Sequence, residues 1–215
     1  MALGLAGLLL VSVTWYLWPD HSAPPTAASA TPRTTAAAPP SRSPAVSTLL
    51  TQEELSGLLD RPLTQAYDAV VPDEATATAP PCELVRRPAT QALFDPVFTA
   101  FRATGYHDST LLTVDQAVAS YPTAPAAEAV YRRLSAAVDS CPAEPARTNR
   151  SYREAAASDR LVWTAPGQDG RPCYHQAERA GATLLLVSLC GPDAGPESTA
   201  RVLLRLAARL GGPGG

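Results

Sequence analysis

The chain has 215 residues, 46% of them hydrophobic and 17% charged, and a formal net charge of −3. An acidic balance without a concentrated basic face excludes the usual kind of nucleic-acid binder. The four cysteines, Cys82, Cys141, Cys173 and Cys190, are spaced by 59, 32 and 17 residues, with no C-x-x-C among them. No Cys/His pair has zinc-ligand separation, so a disulfide-stabilised domain facing an oxidising compartment is expected rather than a metal site.

Residues 2–18 carry no charge and end in the cluster Trp15, Tyr16 and Trp18. As a helix they span about 25 Å, close to the hydrocarbon thickness, with the aromatic rings at headgroup level. No basic n-region precedes them and no small-residue cleavage site follows closely, so an uncleaved anchor is the reading, with a cleaved signal and secretion as the alternative. Lys and Arg are absent before the apolar run and Arg33 follows it. The cysteines alone therefore place the C-terminal part outside. Residues 19–46, rich in Pro, Ala, Ser and Thr, cannot bury enough apolar surface to fold and read as a disordered linker.

The folded domain is expected over residues 47–211, with a disordered tail at 212–215. Leu50-Thr51-Gln52-Glu53-Glu54-Leu55 forms a capping box with a hydrophobic staple, predicting a short helix that ends before Arg61-Pro62. Residues 71–81 read as loop. Phe94, Val97, Phe98 and Phe101 recur at helical spacing with Pro96 near the start, predicting a helix with a core-facing stripe. Residues 111–121 read as a strand. Ala127, Val130, Tyr131, Leu134, Val138 and Cys141 define one face of a helix over 124–140.

Residues 161–164, 172–179 and 183–190 read as strands separated by glycine turns. With Gly181-Ala182 as a two-residue hairpin loop, residues whose numbers sum to 363 face each other. That register sets Cys173 opposite Cys190 and His175 opposite Ser188. Pro196 opens a last helix with Val202, Leu203, Leu206, Ala207 and Leu210 inward. Arg201, Arg205 and Arg209 line its other side, and Gly211 ends it. Arg86-Arg87 and Arg132-Arg133 read as solvated surface.

There is no G-x-S-x-G, no H-E-x-x-H and no phosphate-binding glycine loop. His107-Asp108-Ser109 holds triad residue types, but side chains adjacent in sequence cannot assemble a triad by themselves. A polar turn is expected there. No catalytic residue and no cofactor is expected. Tyr174, His175 and Ser188, beside the hairpin cysteines, are the candidate ligand-binding residues.

Three segments carry a family resemblance: Leu49-Leu50-Thr51-Gln52-Glu53-Glu54-Leu55; Val114-Asp115-Gln116-Ala117-Val118-Ala119-Ser120-Tyr121-Pro122-Thr123-Ala124 leading to Cys141; and Cys173-Tyr174-His175-Gln176-Ala177 with Leu189-Cys190-Gly191. In these the chain resembles the PknH-like extracellular sensor domain of mycobacterial Ser/Thr kinases and related actinobacterial membrane proteins. The resemblance implies an α/β fold of α+β type, with a mainly antiparallel sheet, packed helices and a ligand-sized cleft. It also implies two disulfides, Cys82–Cys141 and Cys173–Cys190. Val138-Asp139-Ser140 departs from the family, which usually has a tryptophan before the cysteine. No kinase precedes the apolar segment in this sequence, so signalling by its own phosphorylation is not expected of the chain.

The expected protein is a non-catalytic sensor or ligand-binding domain anchored to the cell membrane. Its expected partners are the membrane and an envelope small molecule or protein, not nucleic acid. A small secreted or cell-wall hydrolase using His175 or His107 is the alternative.

Overall fold

The computed structural model describes residues 48–74, 81–94, 97–141, 152–157 (backbone only), 159–167 and 169–211. The expected anchor, linker and tail lie outside them, and among the described residues no helix is long and apolar enough to cross a membrane. In chain order the elements are α1 (Gln52–Leu59), β1 (Thr64–Ala69), α2 (Pro81–Arg86), α3 (Gln91–Phe94), β2 (Ala100–His107) and β3 (Thr113–Ser120). Then follow α4 (Ala124–Ser140), β4 (Tyr152–Ala157), β5 (Arg160–Pro166), β6 (Pro172–Ala180), β7 (Thr183–Cys190) and α5 (Pro196–Leu210). The strands form one sheet in the order β1-β2-β3-β7-β6-β5-β4, with every neighbouring pair antiparallel.

Strand alternation divides the interior into two layers. On β3 and β7, Val114, Val118, Leu185, Val187 and Leu189 point to one face, where α1 and α5 cover them with Leu55, Val202, Leu203 and Leu206. Ala117, Ala119, Leu184 and Leu186 point to the other face. There the short alanines are overlain by the larger side chains of α2, α3 and α4, among them Val85, Phe94, Tyr131 and Leu134. A strand apolar on both sides belongs in the middle of a covered sheet, and β7 occupies that place.

Local chemistry fixes the helix ends. Thr51 Oγ1 accepts from the Glu54 amide at 3.3 Å, and Glu54 Oε2 accepts from the Thr51 amide at 2.8 Å, closing the expected capping box. Thr123 caps α4, and Gly211 follows α5. The hairpin register is the expected one throughout, from Ala180 opposite Thr183 to Cys173 opposite Cys190. Gly181 takes the left-handed conformation, φ 58°, that the tight turn demands.

One expected element is corrected. Phe94, Val97, Phe98 and Phe101 do not lie on one helix: α3 stops at Phe94 and Phe101 belongs to β2. From Ala100 onward the chain alternates with a period of two, and the Phe94 and Phe101 rings meet edge-on at 5.1 Å through tertiary packing. Val97 is exposed. Four elements had no sequence counterpart: the strands β1, β2 and β4, and α2, which begins where a loop was expected to end.

There are two disulfides, Cys82 to Cys141 and Cys173 to Cys190. The first joins α2 to the residue that ends α4; the second crosses the β6–β7 ladder.

Candidate functional site

A cleft of ≈ 460 Å³ opens on the α4 side of the sheet, in the part that α4 leaves uncovered. Its floor is a patch of three strands: Thr113, Asp115 and Ala117 of β3, Cys190, Ser188 and Leu186 of β7, and Cys173 and His175 of β6. Its roof is the segment from Arg86 to Thr90 between α2 and α3, together with Asp73. The roof is held from several sides. Trp163 donates its indole N–H to the Val85 carbonyl at 3.0 Å. The Asp73 amide donates to Ala89 O, and the Gln91 amide donates to Asp73 O. The Cys82–Cys141 bridge anchors the start of α2.

The central feature of the floor is a row running across the strands. Tyr67 pairs with Gly105, Gly105 with Asp115, Asp115 with Ser188, Ser188 with His175, and His175 with Trp163. Tyr67 reaches this face because β1 has a register shift between Gln65 and Tyr67. In an unbroken strand those two residues would point the same way; the extra residue sends them to opposite faces. Tyr67 then lies over Gly105 and donates its hydroxyl to Asp115 Oδ1 at 2.9 Å. A Cβ on residue 105 would sit 2.0 Å from the Tyr67 ring, so only glycine leaves the space.

Burial governs the charges of the row. Loss of water pushes the Asp115 carboxyl up to about 6; the Tyr67 hydrogen bond works against that rise, and Asp73 nearby adds to it. Tyr67 is itself held above the ordinary phenol range, by burial first and then by the Asp115 and Asp73 carboxylates. His175, 1% exposed, is pushed down to about 3 by burial and is neutral at physiological pH. Its Nδ1 lies 2.7 Å from Ser188 Oγ, and its ring stacks on Trp163 at 5.0 Å.

Of the candidate residues, His175 and Ser188 come together in the cleft floor. Tyr174 does not join them: strand alternation puts it on the opposite face of β6, outside the cleft lining. His107 and Ser109 are exposed, whereas Asp108 is buried. Asp108 accepts from the Thr110 and Leu112 amides and from Arg61, which holds its carboxyl below the ordinary range despite burial. That triplet is a turn clamp. Arg86 and Arg87, expected as plain surface, line the cleft rim, where Arg87 stands 3.7 Å from Asp73. Sequence reading passed over Asp115 and Tyr67. Asp115 left a signal, the lone carboxylate of its strand; Tyr67 left none, because its direction depends on the bulge.

Chemically the row makes a poor hydrolase. A serine nucleophile needs a basic imidazole with a carboxylate behind its second nitrogen. Here the carboxylate stands on the far side of the serine, His175 Nε2 has no partner among the described residues, and the imidazole is too weak a base.

Residues 40–209 match the PknH-like extracellular domain family. The chain belongs to that family. The fold of this PknH-like domain is also similar to the crystal structure of the extracellular domain of PknH from Mycobacterium tuberculosis. The two are 16% identical with a TM-score of 0.62, over 78% of this chain and 95% of that one. No curated protein matches the chain. The PknH-like assignment and the two disulfides agree on an extracellular domain.

Proposed function

We propose that this PknH-like domain is a non-catalytic sensor that takes a small ligand in the roofed cleft, with residues 2–18 holding it to the membrane. The observation that carries the reading is the row Asp115–Ser188–His175. Polar side chains, here two buried (Ser188 and His175) and one half-buried (Asp115), in a cavity of small-molecule size mark a binding site by default, and this row lacks the order that catalysis needs.

The test is incubation of the full chain with a small-molecule extract of cell envelope, followed by native mass spectrometry. The expected result is a bound species released with unchanged mass. Release as a cleaved product overturns the non-catalytic role; absence of any bound species overturns the ligand-binding one. N-terminal sequencing of the mature protein tests the anchor, and a start between Ser22 and Pro32 shows secretion instead. The Ser188–His175 contact keeps a hydrolase as the second reading. It predicts covalent labelling of Ser188 by a fluorophosphonate, whereas the sensor reading predicts none.

A further inference from the structure

One charge in the cleft floor has no counterion. Asp115 is half-buried there, and its Oδ1 accepts from the Tyr67 hydroxyl at 2.9 Å. Its Oδ2 has no hydrogen-bond partner among the described residues and, unlike His175 Nε2, is not closed to water. No cation among the described residues forms an ion pair with it. Holding a carboxylate partly out of water without a cation is costly, so a small-molecule cavity that keeps one on its floor suits a ligand that brings the cation. Resting on the ligand-binding reading, we propose that the cleft takes a ligand with a single primary ammonium group, seated on Asp115 Oδ2 beside the Tyr67 hydroxyl.

The surroundings favour a cation over a neutral donor. The other two carboxylates of the lining already have arginines beside them: Arg87 stands 3.7 Å from Asp73, and Arg171 pairs with Asp169 at 2.6 Å. Asp73 nonetheless adds negative potential at Asp115. His175, two strands away in the row, adds no positive charge, since burial holds it neutral. Asp115 titrates at about 6 and is mostly ionised at neutral pH. A cation placed on it favours the charged form further, which a neutral hydroxyl does far less.

Geometry supplies the seat. Tyr67 and Asp115 converge above Gly105, where a Cβ would stand 2.0 Å from the Tyr67 ring and 2.8 Å from Asp115 Oδ1. The Tyr67 bond fixes how the carboxylate is turned. The phenol oxygen, while donating to Oδ1, keeps lone pairs that accept, and an ammonium has three donors with which to meet it and Oδ2 together. Arg86 and Arg87 line the same cleft. A second cation on the ligand would face them, so a single amine is expected rather than a polyamine.

The test titrates the full chain in detergent at neutral pH with two matched probe sets, read by saturation-transfer NMR. One set is propylamine, propanol and propionate; the other is alanylalanine and its N-acetyl derivative, which separates a peptide amino end from a small free amine as the source. In at least one set the ammonium member is expected to bind at least about tenfold more tightly than the others. Asp115→Asn, which keeps the shape of the side chain and an acceptor for Tyr67, is expected to erase that difference. In the parent, the bound amine is expected to lower the pH at which Asp115 titrates, read by carboxyl NMR, and this measurement decides if circular dichroism shows the variant unfolded. Equal or tighter binding of the neutral and anionic members overturns the ammonium class but leaves the ligand-binding reading standing. An amine preference that survives in folded Asp115→Asn, or an Asp115 titration unmoved by the amine, overturns the assigned seat. Tighter Asp115-dependent binding of putrescine than of propylamine overturns the restriction to a single amine. No binding by any probe overturns this inference, while the ligand-binding reading is decided separately by the envelope extract.

Discussion

The two faces of the sheet are built from the same strands and do opposite things. On the α5 side the central strands present Val114, Val118, Leu185, Val187 and Leu189, and α1 and α5 close over them. On the α4 side Ala117, Ala119, Leu184 and Leu186 are covered in the same way, but one row further along the strands turn to Asp115, Ser188 and His175. A single step of alternation separates a face made for burial from a face made for contact. The stable face spends its residues on packing, and the cleft face keeps buried polar groups that packing alone would replace.

Breaking the two disulfides has the largest expected effect. Reduction opens covalent loops spanning 59 and 17 residues, worth roughly 4 and 3 kcal/mol in the chain-entropy model. Loss of the Cys82–Cys141 bridge alone, in Cys141→Ser, is expected to lower Tm by on the order of 10 °C and to exceed the loss from Cys173→Ser, both read by calorimetry.

Removing volume from the packed face comes next. Leu203→Ala, at a fully buried position, is expected to cost about 3 kcal/mol in urea unfolding. It should leave probe binding by the folded protein unchanged. A parallel loss of affinity in the folded variant would show that the faces are not separable.

A smaller change strikes the cleft face directly. Gly105→Ala forces the Tyr67 ring away and removes its bond to Asp115, at an expected cost of about 1–2 kcal/mol. Because that bond opposes the upward shift of the Asp115 carboxyl, carboxyl NMR should show Asp115 titrating higher than in the parent.

The smallest effect is in pH dependence, where two members of the row oppose each other. Asp115 is raised, so the native state holds its proton longer than the unfolded chain, and its contribution to stability falls as pH rises from about 4 to 6. His175 is depressed, so the unfolded chain binds the proton first, and stability is lost as pH falls from about 6.5 to 3. Over the shared window the slopes have opposite sign. The parent is expected to be nearly flat there with respect to these two groups. His175→Phe should make stability fall more steeply with rising pH, and Asp115→Asn should make it rise more steeply, both read from urea midpoints at a series of pH values.

On both faces, what rests on local rules was legible in sequence. Thr51 and Glu54 announce a helix start, the α4 stripe runs at helical spacing, and Gly181-Ala182 sets a register that places His175 beside Ser188. The cleft face was less legible because it rests on tertiary choices. Phe94 and Phe101 happen to fit a helical period, yet they meet across a strand boundary. Thr64–Ala69 is a polar edge strand with no apolar alternation to reveal it. Tyr67 turns inward only through a bulge, and Arg86, Arg87 and Thr90 form a roof only once α2 is pinned through Cys82. Tyr174 shows the limit within a correctly read strand: one residue from His175, it faces the other layer.

Gln116, next in sequence to Asp115, points away from the cleft and grips the chain at Leu50. Its Oε1 accepts from the Leu50 amide at 3.0 Å, its Nε2 donates to the Leu50 carbonyl at 2.6 Å, and the same nitrogen reaches Thr104. Arg209 adds a bond to the Leu49 carbonyl. Mechanically, β3 is a beam with two fittings one residue apart, one in the cleft and one on the polypeptide that leads back to the N-terminus. A load pulling on that polypeptide is delivered to the middle of the sheet, not peeled off its edge.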